Sequence, residues 1–249
     1  MNNSTSNKLI LITGASGGIG VALTQSLLAA GWRNIVCQYR TRQSRIAAVL
    51  VEHGIDPEKR LICADLTDED QVADVHSKIH EAFGPVYGLV NLAGNTSNQL
   101  SWKLSKHEFQ EILDANLLST FLVCREFTPD MRDQHCGRVI NVSSVVAFTG
   151  APGASHYCAA KAAIVGFSKS LALELASRNI AVSVVALGYF EYGMIQTIST
   201  ELQDQIRAKI PARRFGTAPE LSALVSYLLS ESGAYSCGQV YHLNGGLYS

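Results

Sequence analysis

The chain has 249 residues, 47% of them apolar, with a formal net charge of −1 and a pI near 6.6. That length suits one large α/β domain with a sizeable core. The balanced charge carries no footprint for nucleic acid or an anionic membrane, and no apolar run is long enough to span a bilayer.

The polar stretch 1–8 lacks the apolar core of a signal peptide and is expected to be a flexible leader. The apolar run that follows, Leu9-Ile-Leu-Ile12, predicts a buried parallel strand. Next come Thr13-Gly-Ala-Ser-Gly-Gly-Ile-Gly20 and a stretch with helical spacing that stops at Gly31. Glycines let the backbone approach a ligand, and a helix N-terminus offers free N–H groups to a pyrophosphate. The glycines at 14, 18 and 20 do not follow the G-x-G-x-x-G spacing, so the strand before and the helix after carry this signal.

Further strands are predicted at 34–39, 60–64, 87–92, 138–142, 181–186 and 240–243, and helices at 18–30, 42–53, 69–82, 105–127, 155–177 and 218–230. Repeated β-α alternation with continuous apolar strands implies a Rossmann-like, doubly wound parallel sheet of about seven strands, covered on both faces. No linker or repeat divides the chain, so 1–249 is read as one nucleotide-binding domain. The stretch 188–217 is mixed in pattern and follows the sixth strand's C-terminal end. It is expected to form a lid over a ligand site.

The second strand ends Cys37-Gln-Tyr-Arg-Thr-Arg42. An acid at that end of such a sheet binds a ribose 2′-hydroxyl, and a basic residue suits a 2′-phosphate. Tyr39 stands where the acid would be, no Asp or Glu is adjacent, and Arg40 and Arg42 offer guanidinium groups. Arg42 also fits the solvated start of the next helix. The cofactor expected from this strand end, and from Arg40 above all, is therefore NADPH.

Tyr157-Cys-Ala-Ala-Lys161 sets a phenol and an ammonium one helical turn apart on one face. A fixed positive charge lowers a phenol's pKa from about 10 and makes the pair a general acid/base. His156 precedes the pair but faces away from it on a helix, and is read as a bystander. The six cysteines are scattered, with no Cys-x-x-Cys, so they read as small apolar residues in a reducing compartment. No metal is expected.

With Asp65-Leu66, Asn91-Leu-Ala-Gly94, Asn116, Ser144 and the closing Asn244-Gly-Gly246, these motifs fall in an order and spacing that resembles the short-chain dehydrogenase/reductase family over nearly the whole chain. Within that family the chain looks most like the 3-oxoacyl-(acyl carrier protein) reductases. The resemblance implies a catalytic set of Ser144, Tyr157, Lys161 and Asn116. Spacing to Tyr157 selects Ser144 over Ser143, which is left to bond backbone. Asn116 would distort its helix and hold a water that passes protons to Lys161. The cofactor residues implied are Gly14, Ser16, Gly18, Ile19, Gly20, Arg40, Thr41, Asp65, Leu66, Asn91, Ala93, Gly94, Tyr157, Lys161 and Gly188. Asp65 would meet the adenine amino group, although a helix N-cap role, with Thr67 and Asp68 as rivals, stays open.

The implied reaction is NADPH-dependent reduction of a 3-oxoacyl thioester on acyl carrier protein or coenzyme A. The alternatives are a ketoreductase for another secondary alcohol and a catalytically silent NADP-binding protein. The resemblance also implies a cytoplasmic homotetramer, and Arg178 beside the site entrance as a dock for an acidic carrier. The chain departs from the family at Leu187, where relatives have Pro, and at Tyr192, where they have a Thr that contacts the cofactor. Tyr189, Phe190 and Met194 are expected to wall the acyl pocket.

Overall fold

Seven apolar runs become the strands of one parallel sheet in the computed structural model, which describes residues 7–249 apart from the side chain of Met194. Residues 1–6 of the expected leader lie outside the described residues. The chain runs β1 Ile10–Thr13, α1 Gly18–Ala29, β2 Ile35–Tyr39, α2 Ser44–Glu52, α3 Pro57–Arg60, β3 Leu61–Cys63, α4 Glu69–Phe83, β4 Gly88–Asn91, α5 Lys106–Leu113, α6 Ser119–Asp133, β5 Gly137–Ser144, α7 Val146–Thr149, α8 Ser155–Leu175, β6 Ile180–Leu187, α9 Thr200–Lys209, α10 Ala218–Leu229 and β7 Val240–Leu243. The strand order is β3-β2-β1-β4-β5-β6-β7, and every pairing is parallel. The winding reverses between β1 and β4, which opens a crevice at the strands' C-terminal ends, as in Rossmann-type sheets.

Strand periodicity builds the two layers. Ile10 and Ile12 face α1, α2 and α10 through Leu23, Leu27, Leu50 and Val225. Leu9 and Leu11 face α4, α6 and α8 through Val75, Ile79, Phe127 and Leu175. Successive strand side chains point to opposite faces, so one run feeds both layers. Each large aliphatic side chain buried here contributes about 1.5–3 kcal/mol.

One expectation is corrected, and two regions gain detail that the sequence did not carry. The helix at 105–127 is interrupted: α5 ends at Leu113, a π-helical turn covers Asp114–Leu118, and α6 continues to Asp133. The hydroxyls of Ser119 and Thr120 accommodate the distortion by donating to the carbonyls of Ala115 and Asn116 at 2.8 and 2.7 Å. The region 188–217 is ordered around a 3-10 turn, Gly193–Thr197, and the helix α9. The short helices α3 and α7 were not foreseen.

Candidate active site

A cleft of about 730 Å³ lies at the C-terminal ends of the strands, within the range of roughly 300–1,000 Å³ usual for small-molecule sites. Its first wall is the glycine-rich turn. Thr13 Oγ1 accepts from the N–H groups of Leu92 and Ala93, so the end of β1 holds the end of β4. Gly14 has φ +63°, and its N–H donates to Gln38 Oε1 at 2.9 Å. Gln38 Nε2 donates in turn to the Ala64 carbonyl at 2.7 Å. A Cβ on Gly14 would lie 2.6 Å from the Ala93 Cα, and one on Gly20 would lie 2.4 Å from the Gly14 carbonyl. Any side chain there would push the turn apart.

The N-terminus of α1 has no side-chain cap and no acid in its first turn. Helices α4, α5 and α9 are capped by Asp68, Ser105 and Ser199 and carry acids there. The start of α1 lies on the cleft, which Ser16, Gly17, Gly18 and Ile19 line, and its open N–H groups fit a pyrophosphate.

At one end, Arg40 and Thr41 line the cleft and Arg42 does not. No acid adjoins Arg40 in sequence, but in space Asp65 Oδ2 lies 3.8 Å from its guanidinium, brought there because β3 pairs beside β2. Asp65 Oδ1 accepts from the Thr67 N–H and hydroxyl, while Asp68 caps α4. Leu66 is buried and lines the same end.

At the other end, β5 delivers Ser143 and Ser144, and α8 delivers Tyr157 and Lys161. Ser143 Oγ donates to the Lys161 carbonyl at 2.7 Å, which leaves Ser144 on the cleft. Burial pushes the Tyr157 phenol up to about 12, Cys158 adds to the rise, and the Ser144 hydroxyl pulls it down. Burial takes Lys161 down to about 8. Its Nζ lies 5.7 Å from the Tyr157 ring centre and donates to the Val142 carbonyl at 3.0 Å. The expectation that Lys161 depresses the phenol is thus not met in the free protein, because the ammonium is spent on a carbonyl and burial dominates.

Asn116 sits in the π-helical turn, as the resemblance implied. Its Nδ2 donates to the carbonyls of Asn95 and Ile112, both at 2.8 Å, and its buried Oδ1 has no partner among the described residues. A Cβ on Gly94 would lie 2.4 Å from that oxygen and 3.5 Å from Lys161 Nζ. Gly94, Asn116 and Lys161 therefore converge on one point, where a buried acceptor calls for a donor.

Ala93 and Gly188 also line the cleft, whereas Asn91 and Gly20 do not. Asn91 Nδ2 donates to Asn141 Oδ1 at 2.8 Å and ties β4 to β5 inside the core. His156 is fully buried and pairs with Ser97 Oγ at 2.8 Å, apart from the Ser144 and Tyr157 hydroxyls.

The segment after β6 forms the remaining wall. Phe190 pairs with Gly216 and is buried in the main core. The apolar lining comes also from Ile195, Ile198, Leu202 and Ile206, which are set singly among polar residues in the sequence. Of the expected wall, Tyr189 and Phe190 line the cleft, and the Met194 side chain lies outside the described residues. A Cβ on Gly18 would lie 2.5 Å from the Gly193 backbone, so this segment rests directly on the glycine turn. Arg178, 3.3 Å from His135, lies at the strands' N-terminal ends, where β5 and β6 begin. Within one chain it stands a strand length from the cleft, and its placement at the entrance is corrected.

Residues 8–203 match the family described as short chain dehydrogenase. Nodulation protein G of Rhizobium sp. is 42% identical over 238 residues, covering 95% of both chains. The 3-oxoacyl-(acyl-carrier-protein) reductase FabG of Salmonella typhimurium is 37% identical over 98% of this chain and 99% of its own. The enzyme of the same name from Staphylococcus aureus is 37% identical over 97% and 98%. With this fold, this cleft and matches of that coverage, the chain belongs to the short-chain dehydrogenase family of nicotinamide-dependent oxidoreductases.

Proposed function

We propose that the protein reduces a 3-oxoacyl thioester, carried by acyl carrier protein or coenzyme A, to the 3-hydroxyacyl thioester at the expense of NADPH. The observation that carries this reading is the convergence of Ser144, Tyr157, Lys161 and Asn116 on one end of a cleft whose other end holds Arg40. Relatives named for that reaction align over nearly the full chain. Gly14, Ser16, Gly18, Ile19, Asp65, Leu66, Ala93, Gly94 and Gly188 would hold the cofactor, with Arg40 and Thr41 at its 2′-phosphate. Bound NADPH supplies the hydride.

Tyr157 and Ser144 hydrogen-bond the ketone oxygen and stabilise the charge that develops there. A phenol near 12 is still far more acidic than an alkoxide's conjugate acid, so Tyr157 delivers its proton as the alcohol forms. The Lys161 ammonium, at about 8, is poised near working pH to restore that proton. Asn116 Oδ1 is placed to steer the relay. Ile195, Ile198, Leu202 and Ile206 offer an apolar surface to an acyl chain.

A second reading, a ketoreductase for another secondary alcohol, is favoured by Tyr189 and Tyr192 on the same wall, whose phenols suit a more polar substrate. Stopped-flow oxidation of NADPH, against NADH, separates the two. Rapid turnover of a β-ketoacyl thioester supports the first, and turnover of simple ketones alone supports the second.

A homotetramer in a reducing cytoplasm completes the proposal. Phe109, Phe121 and Leu173 are exposed on α5, α6 and α8, and Leu173 is 85% exposed, a face that suits another copy. Six free cysteines suit the compartment. Light scattering showing a monomer at micromolar concentration would refute the assembly.

A further inference from the structure

Outside the cleft, three groups on two helices point at one spot. His76 and His80 stand one turn apart on α4, and Asp130 faces them from α6. Asp130 Oδ2 lies 2.9 Å from His76 Nε2 and 2.8 Å from His80 Nδ1. The three ligand atoms all fall within 4.8 Å of one another, in a recess of about 250 Å³ also lined by Ser77 and Glu81. None of these residues lines the cleft. We propose that His76, His80 and Asp130 form a divalent-metal site that clamps α4 to α6.

The donor chemistry selects the ion. Two imidazoles and a carboxylate suit zinc and its borderline neighbours, whereas calcium or magnesium would want oxygens only. Histidines four apart on one helix face supply two ligands at a fixed spacing. Three protein ligands leave a fourth, open position for water.

Two further features favour a built site. The other ring nitrogen of His76, Nδ1, lies 3.8 Å from Glu126 Oε1. A carboxylate behind a ligating histidine orients the ring and raises its basicity. The His76 ring also stands edge-on to Phe127, at 5.0 Å between centres and 81° between planes. Phe127 is buried in the α4, α6 and α8 layer, so the ring is fixed from the core side. Both imidazoles aim at the same carboxylate oxygen. Without an ion each must spend a proton on it; a cation between them uses all three lone pairs at once.

The test uses the full chain without an affinity tag and Zn²⁺ alone as the probe. Calorimetry is expected to find one ion per chain with micromolar affinity, and saturating Zn²⁺ to raise the melting temperature by about 5 °C. His80→Gln keeps an N–H toward Asp130 but removes the ring lone pair, and Asp130→Asn removes the charge. Each is expected to weaken binding at least about tenfold while leaving the metal-free melting temperature near wild type. Replacement by Co²⁺ reports the ligands: absorption of a nitrogen and oxygen site supports the assignment, and a thiolate charge-transfer band overturns it. No saturable binding, or binding unchanged in both variants, also overturns it and leaves a hydrogen-bonded cluster only.

Discussion

The floor and the roof of the cleft are built on different terms. The floor is made by β5, α8 and the π-helical turn, and three of its polar side chains are tied to backbone carbonyls. Ser143 holds the Lys161 carbonyl, Lys161 holds the Val142 carbonyl, and Asn116 holds those of Asn95 and Ile112. The roof, from Gly188 to Gly216, has its own small apolar cluster of Ile195, Ile210 and Phe215. It is joined to the sheet by the Phe190–Gly216 bridge and by Gly193 resting on Gly18. Reaction chemistry placed on the floor inherits the rigidity of the core. Specificity placed on the roof can change without disturbing it.

The sharpest break would come from the floor. Tyr157→Phe removes a proton donor and adds no volume. Turnover should fall by about 10³-fold, while NADPH affinity, followed by fluorescence titration, should stay within about twofold of wild type. Near-normal turnover would move the chemistry away from this floor.

Lys161→Met separates function from stability. The folded protein releases this proton near pH 8 and the unfolded side chain near its ordinary value of 10.5. Between those values the unfolded chain binds more protons, so stability rises with pH. Below pH 8 the buried charge costs about 3 kcal/mol, by the 1.36 kcal/mol that accompanies each pH unit. The variant should therefore be more stable than wild type at pH 7 and lose that advantage toward pH 10, even as reduction is abolished. The comparison must be a difference between the two proteins, because Tyr157, Cys37 and Cys124, all pushed up to about 12, remove stability from both as pH rises through their own windows. Denaturant melts at pH 7 and pH 10 measure it; an equal difference at both would mean that Lys161 is not strained by burial.

The same contrast explains what the sequence could and could not reveal. Buried strands announce themselves as apolar runs, and β1, β5 and β6 were found within a residue or two of their ends. Tyr157 and Lys161 were visible because a helix brings i and i+4 together. Asp65 beside Arg40 was not, since only strand order sets β3 next to β2. Gln38, a buried polar residue in an apolar run, was the one written sign that β2 would hold the glycine turn. The roof helix α9 was missed because Leu202 and Ile206 are set among charges, and its apolar stripe has meaning only against a cleft. His76 and His80 share a helix face, but Asp130 lies some fifty residues on, so their meeting is a fact of packing alone.

Between floor and roof lies the ribose end. Arg40→Asp places a second acid beside Asp65 and removes the guanidinium. NADPH affinity should fall by about 10–100-fold, the worth of a charge-assisted hydrogen bond, with NADH affected much less. Titration of both cofactors decides it, and an equal loss for the two would show that Arg40 does not read the 2′-phosphate.

The roof should respond to ligand where the floor does not. Amide exchange across 188–216 is expected to slow on adding NADPH, and exchange in β5 and α8 to stay unchanged. Equal protection in the free protein would remove the lid from the proposal.

The smallest effect is expected at Tyr192, and it addresses the roof's departure from its relatives most directly. The residue has extended backbone, φ −120° and ψ 158°, lines the cleft, and immediately precedes the glycine that rests on Gly18. Its Cβ therefore leaves the chain beside the glycine turn, where a short hydroxyl would fall close to a bound pyrophosphate. A phenol carries its oxygen several bonds further and must pass that point. Tyr192→Thr should tighten NADPH binding by about two- to tenfold, the range of one neutral hydrogen bond. The Gly18 and Gly193 contact is backbone against backbone and should survive the change, so thermal stability should hold while affinity improves. Unchanged affinity would mean that another group already supplies the contact, and weaker affinity would mean that the Tyr192 ring itself holds the cofactor.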